Sequence, residues 1–405
     1  MESFVTHLEA SIDGSRHDHR SLATTHGGRP LLVRYDLAAV KRTVDRDRLA
    51  SRPADLWRFR ELLPVELDEN VVSLGEGTTP LIECPRLGRE LGLDLLWIKD
   101  ESHLPTGSFK ARGLALAVSR AKELGVRRVA IPTAGNAGGA LAAYAARAGL
   151  EAWVFMPADT PRVNRGEAAL FGAHVVLVDG LITDCAALVQ AGTERMGWFD
   201  FSTLKEPYRL EGKKTMGLEL AQQLGWRLPD VILYPTGGGT GLIGMDKAFD
   251  ELEALGWLDD ARRPRFYACQ AEGCAPLVRA FERGERHAEP VAEPRTIASG
   301  LRVPRAVADF LILDAVRRSK GAACAAPEEE LLPWMRRASA REGIGLCPES
   351  AACLSVLARL ARKGEIAAGE RVVVFNTGAA QKYGECLPDD GVRVARGATP
   401  DWAHL

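Results

Sequence analysis

Short, predominantly apolar runs alternate along this chain with longer amphipathic stretches, and that alternation restricts the possible folds more than any other feature. The runs occupy residues 95–99, 129–131, 152–155, 175–178, 231–234, 266–268 and 372–375. Residues 139–148, 181–196, 212–224 and 348–362 carry apolar side chains at helical spacing. Strands that are apolar on both faces need cover on both faces. The chain is therefore expected to be an α/β protein with open, twisted, mostly parallel sheets clothed by helices. Its 405 residues, 46% of them hydrophobic, supply core for two domains or for one large domain with a subdomain.

The two ends depart from this pattern. Charged residues crowd 13–29 and 41–60, so residues 1–60 are expected to form an arm with one short strand at 31–35. Residues 73–81, Ser-Leu-Gly-Glu-Gly-Thr-Thr-Pro-Leu, make a turn-rich entry to the globular part, and 387–405 reads as a tail. A formal net charge of −2 gives no support for a nucleic-acid or membrane-surface partner. No apolar run approaches the length of a membrane span, and the first residues carry no signal-peptide pattern. The eight cysteines form no Cys-x-x-Cys pair and read as thiols of a reducing cytoplasm, with no metal site expected.

Four stretches lie at strand ends, where open α/β sheets bind their ligands. Residues 105–113, Pro-Thr-Gly-Ser-Phe-Lys-Ala-Arg-Gly, place Lys110 in the first turn of a helix, with Ser108 or Thr106 set to cap it. Positive charge is disfavoured at a helix N-terminus. The Lys110 amine is expected to lose its proton readily there and to serve as a nucleophile for Schiff-base chemistry; a solvated lysine is the plain alternative. Residues 132–139, Pro-Thr-Ala-Gly-Asn-Ala-Gly-Gly, expose backbone amides suited to a carboxylate, and Asn136 offers a donor to a ring oxygen, unless the stretch is only a tight turn. Residues 235–244, Pro-Thr-Gly-Gly-Gly-Thr-Gly-Leu-Ile-Gly, let successive amides converge on a phosphate. The same stretch spells Gly239-x-Gly241-x-x-Gly244, and Glu272 follows the next strand where a ribose ligand belongs. A nicotinamide-dependent dehydrogenase is thus a rival from another class. At 375–378, Phe-Asn-Thr-Gly, Thr377 either faces a heterocyclic nitrogen or belongs to a turn.

In this order, a lysine in Ser-Phe-Lys, an Asn loop, a Gly-rich cradle and a terminal Thr-Gly resemble the fold-type-II pyridoxal-phosphate enzymes. Within that group the likeness is to the threonine synthase family. Residues 73–81, 105–113, 209–215 (Arg-Leu-Glu-Gly-Lys-Lys-Thr), 270–276 (Gln-Ala-Glu-Gly-Cys-Ala-Pro) and 296–300 (Thr-Ile-Ala-Ser-Gly) are all similar to threonine synthase segments. The resemblance implies pyridoxal 5'-phosphate as cofactor. Lys110, next to Phe109, would bind it as an imine and then move protons at the substrate's α and β carbons. Asn136 would meet the cofactor's ring oxygen, Gly237, Gly238, Gly239, Thr240 and Gly241 its phosphate, and Thr377 its pyridine nitrogen. A neutral hydroxyl there leaves that nitrogen largely unprotonated and moderates the electron sink. Thr133, Ala134, Gly135 and Ala137 would hold the carboxylate of a small amino-acid substrate, and Arg209 its phosphate. The resemblance further implies a homodimer and a mobile small domain, 112–202, inserted in a large cofactor-binding domain, 61–111 and 203–386. The nearest activity is conversion of O-phosphohomoserine to threonine plus phosphate; a threonine or serine dehydratase-type α,β-elimination is the alternative within the fold.

The chain departs from the family in several places. Residues 24–35 keep the shape of the family's zinc-ribbon ending without its cysteines, and Thr6-His-Leu-Glu9 stands where a further pair belongs, so the ribbon reads as degenerate. The family's Asp after the lysine is Ala111, and Cys347 replaces the Glu before Pro348, with Glu349 following. The phosphate-substrate half is thinned. Thr203-Leu204 replace Asn-Ser, Ala137 replaces Thr, and Gly238 stands for the asparagine of the Gly-rich loop, while Arg209 remains. Two lysines outside the family pattern are expected to face solvent, Lys205 from a loop and Lys213 from the start of a helix.

Overall fold

The strand Val231–Pro235, buried along its whole length, runs through the middle of a six-stranded sheet. The computed structural model describes residues 2–260, 262–389, 391–397, 399 and 401–402. Across the sheet the order is Ala322–Ala326, Arg265–Ala271, Val231–Pro235, Arg371–Asn376, Leu95–Asp100 and Leu81–Glu83. Neighbours are parallel except for the last pair. A second sheet, fully parallel, is ordered Phe199–Asp200, Arg128–Pro132, Glu151–Pro157 and His174–Val178. Every apolar run noted in the sequence lies within one of these strands. The strand Ala322–Ala326 was not anticipated: Ala-Ala-Cys-Ala-Ala has little strand preference of its own, and pairing with Arg265–Ala271 creates it.

The expected arm is a third, antiparallel sheet, ordered Arg16–His17, Val5–Ala10, Arg29–Tyr35 and Thr25–His26. Leu8, Ala10, Leu31 and Val33 are no more than 2% exposed and share one core with Leu114 and Ala117. A period-two apolar face hides among the charges that suggested an arm, and pairs such as Arg34 with Glu9, 2.6 Å apart, occupy the other face.

Three helices, Lys110–Glu123, Tyr208–Gln223 and Thr240–Leu255, pack closely where glycines meet. A Cβ added to Gly212 would lie 2.1 Å from the Arg112 carbonyl oxygen, and one on Gly244 would lie 2.9 Å from the Lys214 nitrogen. The middle helix starts four residues before its expected first residue, 212. Glu206 Oε2 accepts from the Tyr208 and Arg209 amides at 2.8 and 3.0 Å, so an acidic side chain serves the N-terminus from just upstream of Pro207.

Beneath the contact of the first two helices lies a wholly buried charge network. Arg112 donates to Glu101 through Nε at 2.5 Å and Nη2 at 2.9 Å, and also to Glu219. Lys99 Nζ reaches Glu219 at 3.1 Å, the Thr79 carbonyl at 2.8 Å and Gln223 Oε1 at 2.8 Å. Two cations thus balance two carboxylates out of contact with water. Removing one partner leaves a buried charge uncompensated, which costs about 3–5 kcal/mol. Arg112→Met should therefore lower the unfolding free energy by about that amount in denaturant titrations; a loss below about 1 kcal/mol would show that the network relaxes around the gap.

Candidate active site

The C-terminal strand ends and the N-termini of the helices Lys110–Glu123, Ala137–Ala148 and Thr240–Leu255 surround a cavity of about 350 Å³. Lys110 is the first residue of its helix, with Phe109 at the N-cap. Neither hydroxyl expected to cap this helix does so. Ser108 is extended and bridges to Gly378, Thr106 adopts a left-handed φ of 62°, and neither side chain makes a hydrogen bond among the described residues. Lys110 Nζ lies 4.3 Å from the centroid of the Phe109 ring. Burial, reinforced by the Arg209 charge and opposed by Glu349, pushes the Lys110 ammonium down to about 8. The sequence argument anticipated the direction but named the helix terminus as cause, whereas desolvation leads.

The glycine loop opens the helix Thr240–Leu255, with Gly239 in the left-handed region at φ 73°. Added Cβ atoms would lie 2.5 Å from the Gly300 carbonyl oxygen at Gly237, 2.1 Å from Ile312 Cδ1 at Gly239 and 1.9 Å from the Tyr234 hydroxyl at Gly241. At these three positions no side chain fits, which leaves bare amides at a helix N-terminus, a setting for a phosphate group. Gly244, the third glycine of the dinucleotide-like spacing, is taken up by helix packing against Lys213 and Lys214. Glu272 is exposed at the end of its strand.

On the opposite wall Thr133, Ala134, Gly135, Asn136 and Ala137 line the cavity. The Thr133 hydroxyl accepts the Gly135 amide at 3.1 Å, which holds the loop in shape. Asn136 donates to the Tyr383 hydroxyl at 3.3 Å and accepts from Asn164 at 2.9 Å. Thr377, also on the wall, receives support from below: its amide donates to Ser350 Oγ at 3.2 Å and its hydroxyl lies 3.7 Å from Cys347 Sγ.

The structure thus gathers onto one cavity every residue that the family resemblance assigns to cofactor or substrate, except Arg209. Arg209 is buried behind the wall and donates to the Phe201 carbonyl at 2.7 Å and to Thr203 Oγ1 at 3.4 Å. Both lysines expected in solvent turn inward. Lys205 is half-buried on the wall, 3.5 Å from Asp200, and Lys213 is 1% exposed inside the helix Tyr208–Gln223. Several wall residues carry no role in the sequence reading, among them Arg302, Arg305, Glu349 and Tyr383. Glu349 accepts the Gly300 amide at 2.7 Å, and its position after Pro348 at a helix start was a usable signal. Tyr383, raised in pKa by burial and by Glu349, follows the last strand with nothing local to mark it.

Comparison with known proteins agrees with this geometry. The model of the family described as "Pyridoxal-phosphate dependent enzyme" matches residues 72–378. The threonine synthase of Methanocaldococcus jannaschii is 36% identical over 374 residues, 92% of this chain and 90% of that protein. That of Methanosarcina acetivorans is 36% identical over 358 residues, 88% and 87% of the two chains. Among solved structures, the T.th. threonine deaminase matches with a TM-score of 0.62 and 27% identity, over 74% of this chain and 92% of that one.

Because only a neutral amine reacts with acylating reagents, labelling of Lys110 in the cofactor-free protein should rise with pH through a midpoint at about 8. Peptide mapping after pulses at several pH values measures it; a midpoint above about 10, like that of a surface lysine, would contradict the burial argument.

Proposed function

Because the chain belongs to the pyridoxal-phosphate dependent enzyme family, we propose that it is a threonine synthase-like carbon–oxygen lyase acting on a small amino acid. Its cofactor is pyridoxal 5'-phosphate, which when bound supplies an electron sink for charge developing at the substrate's α carbon. The observation that carries the reading is a single cavity shared by Lys110, the glycine-rich cradle 237–241 and Thr377. Lys110 is the residue that joins the cofactor and afterwards moves protons at the α and β carbons. Its depressed basicity suits both tasks, since the amine must be free to attack and then able to return a proton. Amides of the cradle would hold the phosphate, Phe109 and Asn136 would lie beside the ring, and Thr377 would offer its nitrogen a neutral partner. Thr133 to Ala137 orient the substrate carboxylate. We also infer that residues 112–202 move as a small domain against 61–111 and 203–386 to exclude water, and that the enzyme is a homodimer. Among the described residues no helix is long and apolar enough to cross a membrane.

Joining through Lys110 is tested by borohydride reduction followed by peptide mapping. A single adduct on Lys110 is expected, with visible absorbance and turnover both lost in Lys110→Ala while the thermal melt stays near wild type; a colourless reconstituted protein would overturn the assignment.

The geometry further favours a substrate without a phosphate, or with a smaller anion. A phosphate dianion in a closed site needs several charge-assisted donors. Here Ala137, Leu204 and Gly238 supply no side-chain donor and Arg209 is engaged behind the wall, which leaves Lys205, Arg302 and Arg305 as the cations a substrate anion would have to use. Each missing bond to a charged group is worth about 1.5–3 kcal/mol. Threonine or serine elimination is therefore the second reading. Steady-state assays of O-phosphohomoserine, threonine, serine and homoserine should give the phosphorylated substrate the lower kcat/KM. The opposite order, collapsing in Arg209→Ala, would mean that Arg209 swings into the cavity when substrate binds.

A further inference from the structure

Lys213 takes no part in the chemistry above, yet the contact at Gly113 and Gly212 carries it to the base of the Lys110 helix. A Cβ on Gly113 would lie 3.1 Å from Lys213 Cε and 3.2 Å from Nζ. Lys213 Nζ donates to the Phe109 carbonyl, the one immediately before Lys110, and lies 4.3 Å from the Phe109 ring centroid. The same ring has Lys110 Nζ at 4.3 Å, so one phenyl group is shared by two amines. The charged groups facing Lys213 are Lys110, Arg209, Arg112 and Glu101. Glu101 is already committed to Arg112. Burial first, and the Lys110 charge next, hold the Lys213 ammonium well below the ordinary lysine range. An N-cap carbonyl accepts the first bond of its own helix and keeps a second lone pair. Lys213 fills it.

We propose, given that Lys110 is the cofactor lysine, that Lys213 is a positioning residue which pins the Phe109 carbonyl and thereby aims the Lys110 side chain into the cavity. The bond requires a donor of suitable length. Glutamine therefore meets the requirement, methionine fills the space without a donor, and arginine supplies donors with a permanent charge that burial among Lys110, Arg209 and Arg112 opposes.

The test uses the full chain, cofactor-free and then reconstituted with pyridoxal 5'-phosphate, as wild type, K213Q, K213M and K213R. Three quantities are read: the rate of cofactor capture, the visible circular dichroism of the bound chromophore, and the thermal melt of the cofactor-free protein. K213M should capture cofactor about tenfold more slowly, the size of one hydrogen bond, with altered dichroism. K213Q should stay within about twofold of wild type in both. Wild-type capture and dichroism in K213M, or equal impairment of K213Q and K213M, would overturn the proposal. Should K213M fail to fold, K213R must be impaired where K213Q is not, and the reverse order would overturn it equally. Absence of a borohydride-trapped adduct on Lys110 in wild type would instead remove the underlying reading. With that adduct present and K213M unchanged, only the role of Lys213 falls.

Discussion

Arg112 sits between Glu101 and Glu219 with no access to water, and the arrangement of the site hangs on that buried bridge. Glu101 follows the strand Leu95–Asp100, Arg112 lies two residues beyond Lys110, and Glu219 is on the helix Tyr208–Gln223. Charges taken out of water tolerate little misalignment, so the bridge imposes one register on a strand end and two helices. A second network continues the lock. Lys214 lies 2.8 Å from both Glu211 and Glu251, and Lys247 lies 3.0 Å from Glu211 and 2.5 Å from Glu251. That joins the middle helix to Thr240–Leu255, which the glycine cradle opens. With their bodies clamped, the helices that begin at Lys110 and Thr240 present their N-termini to one cavity.

The electrostatic balance of that cavity follows from the same packing. Lys110, Lys205, Arg302 and Arg305 line the wall, Lys213 and Arg209 are buried behind it, and Glu349 and the half-served Glu206 are the nearby acids. Glu206, pushed up to about 7 by burial, has its second oxygen 4.0 Å from Arg209 Nε. A surplus of cationic groups in a poorly solvated space lowers the basicity of each amine and favours the entry of anions, here a cofactor phosphate and a substrate carboxylate. Retention of Arg209 by the Phe201 carbonyl and Thr203 keeps that guanidinium from a substrate phosphate and leaves Lys205, Arg302 and Arg305 as the other cations on the wall. The cofactor half and the substrate half of the site are thus governed by separate constraints, the first by backbone geometry and the second by side-chain reach.

Much of this was legible in the chain itself. The apolar runs at 231–234 and 372–375 announce central parallel strands, because strands covered on both sides carry no polar face. Gly237 to Gly241 and Lys110 were readable because bare amides and a helix-start amine are local arrangements, set by neighbours in sequence. Tyr383 was not, since it reaches Asn136 across 247 positions. The strand Ala322–Ala326 and the antiparallel sheet of the first 35 residues were missed for a related reason. Weak local preference and a charged outer face concealed pairings that exist only once a partner strand is present.

By itself, then, the order of residues determined an α/β architecture, the lysine, the phosphate cradle and the cofactor they imply, because hydrophobic period, glycine content and helix starts are properties of short segments. Tertiary structure decided what the side chains do. It drew Lys213 from an expected solvent position to the Phe109 carbonyl, set Arg209 behind the wall, and brought Glu349 and Tyr383 to the cavity. The physical reason is that burial and hydrogen-bond partners belong to the packed whole: only when Gly113 meets Gly212 do the two helices come close enough for one lysine to serve the other.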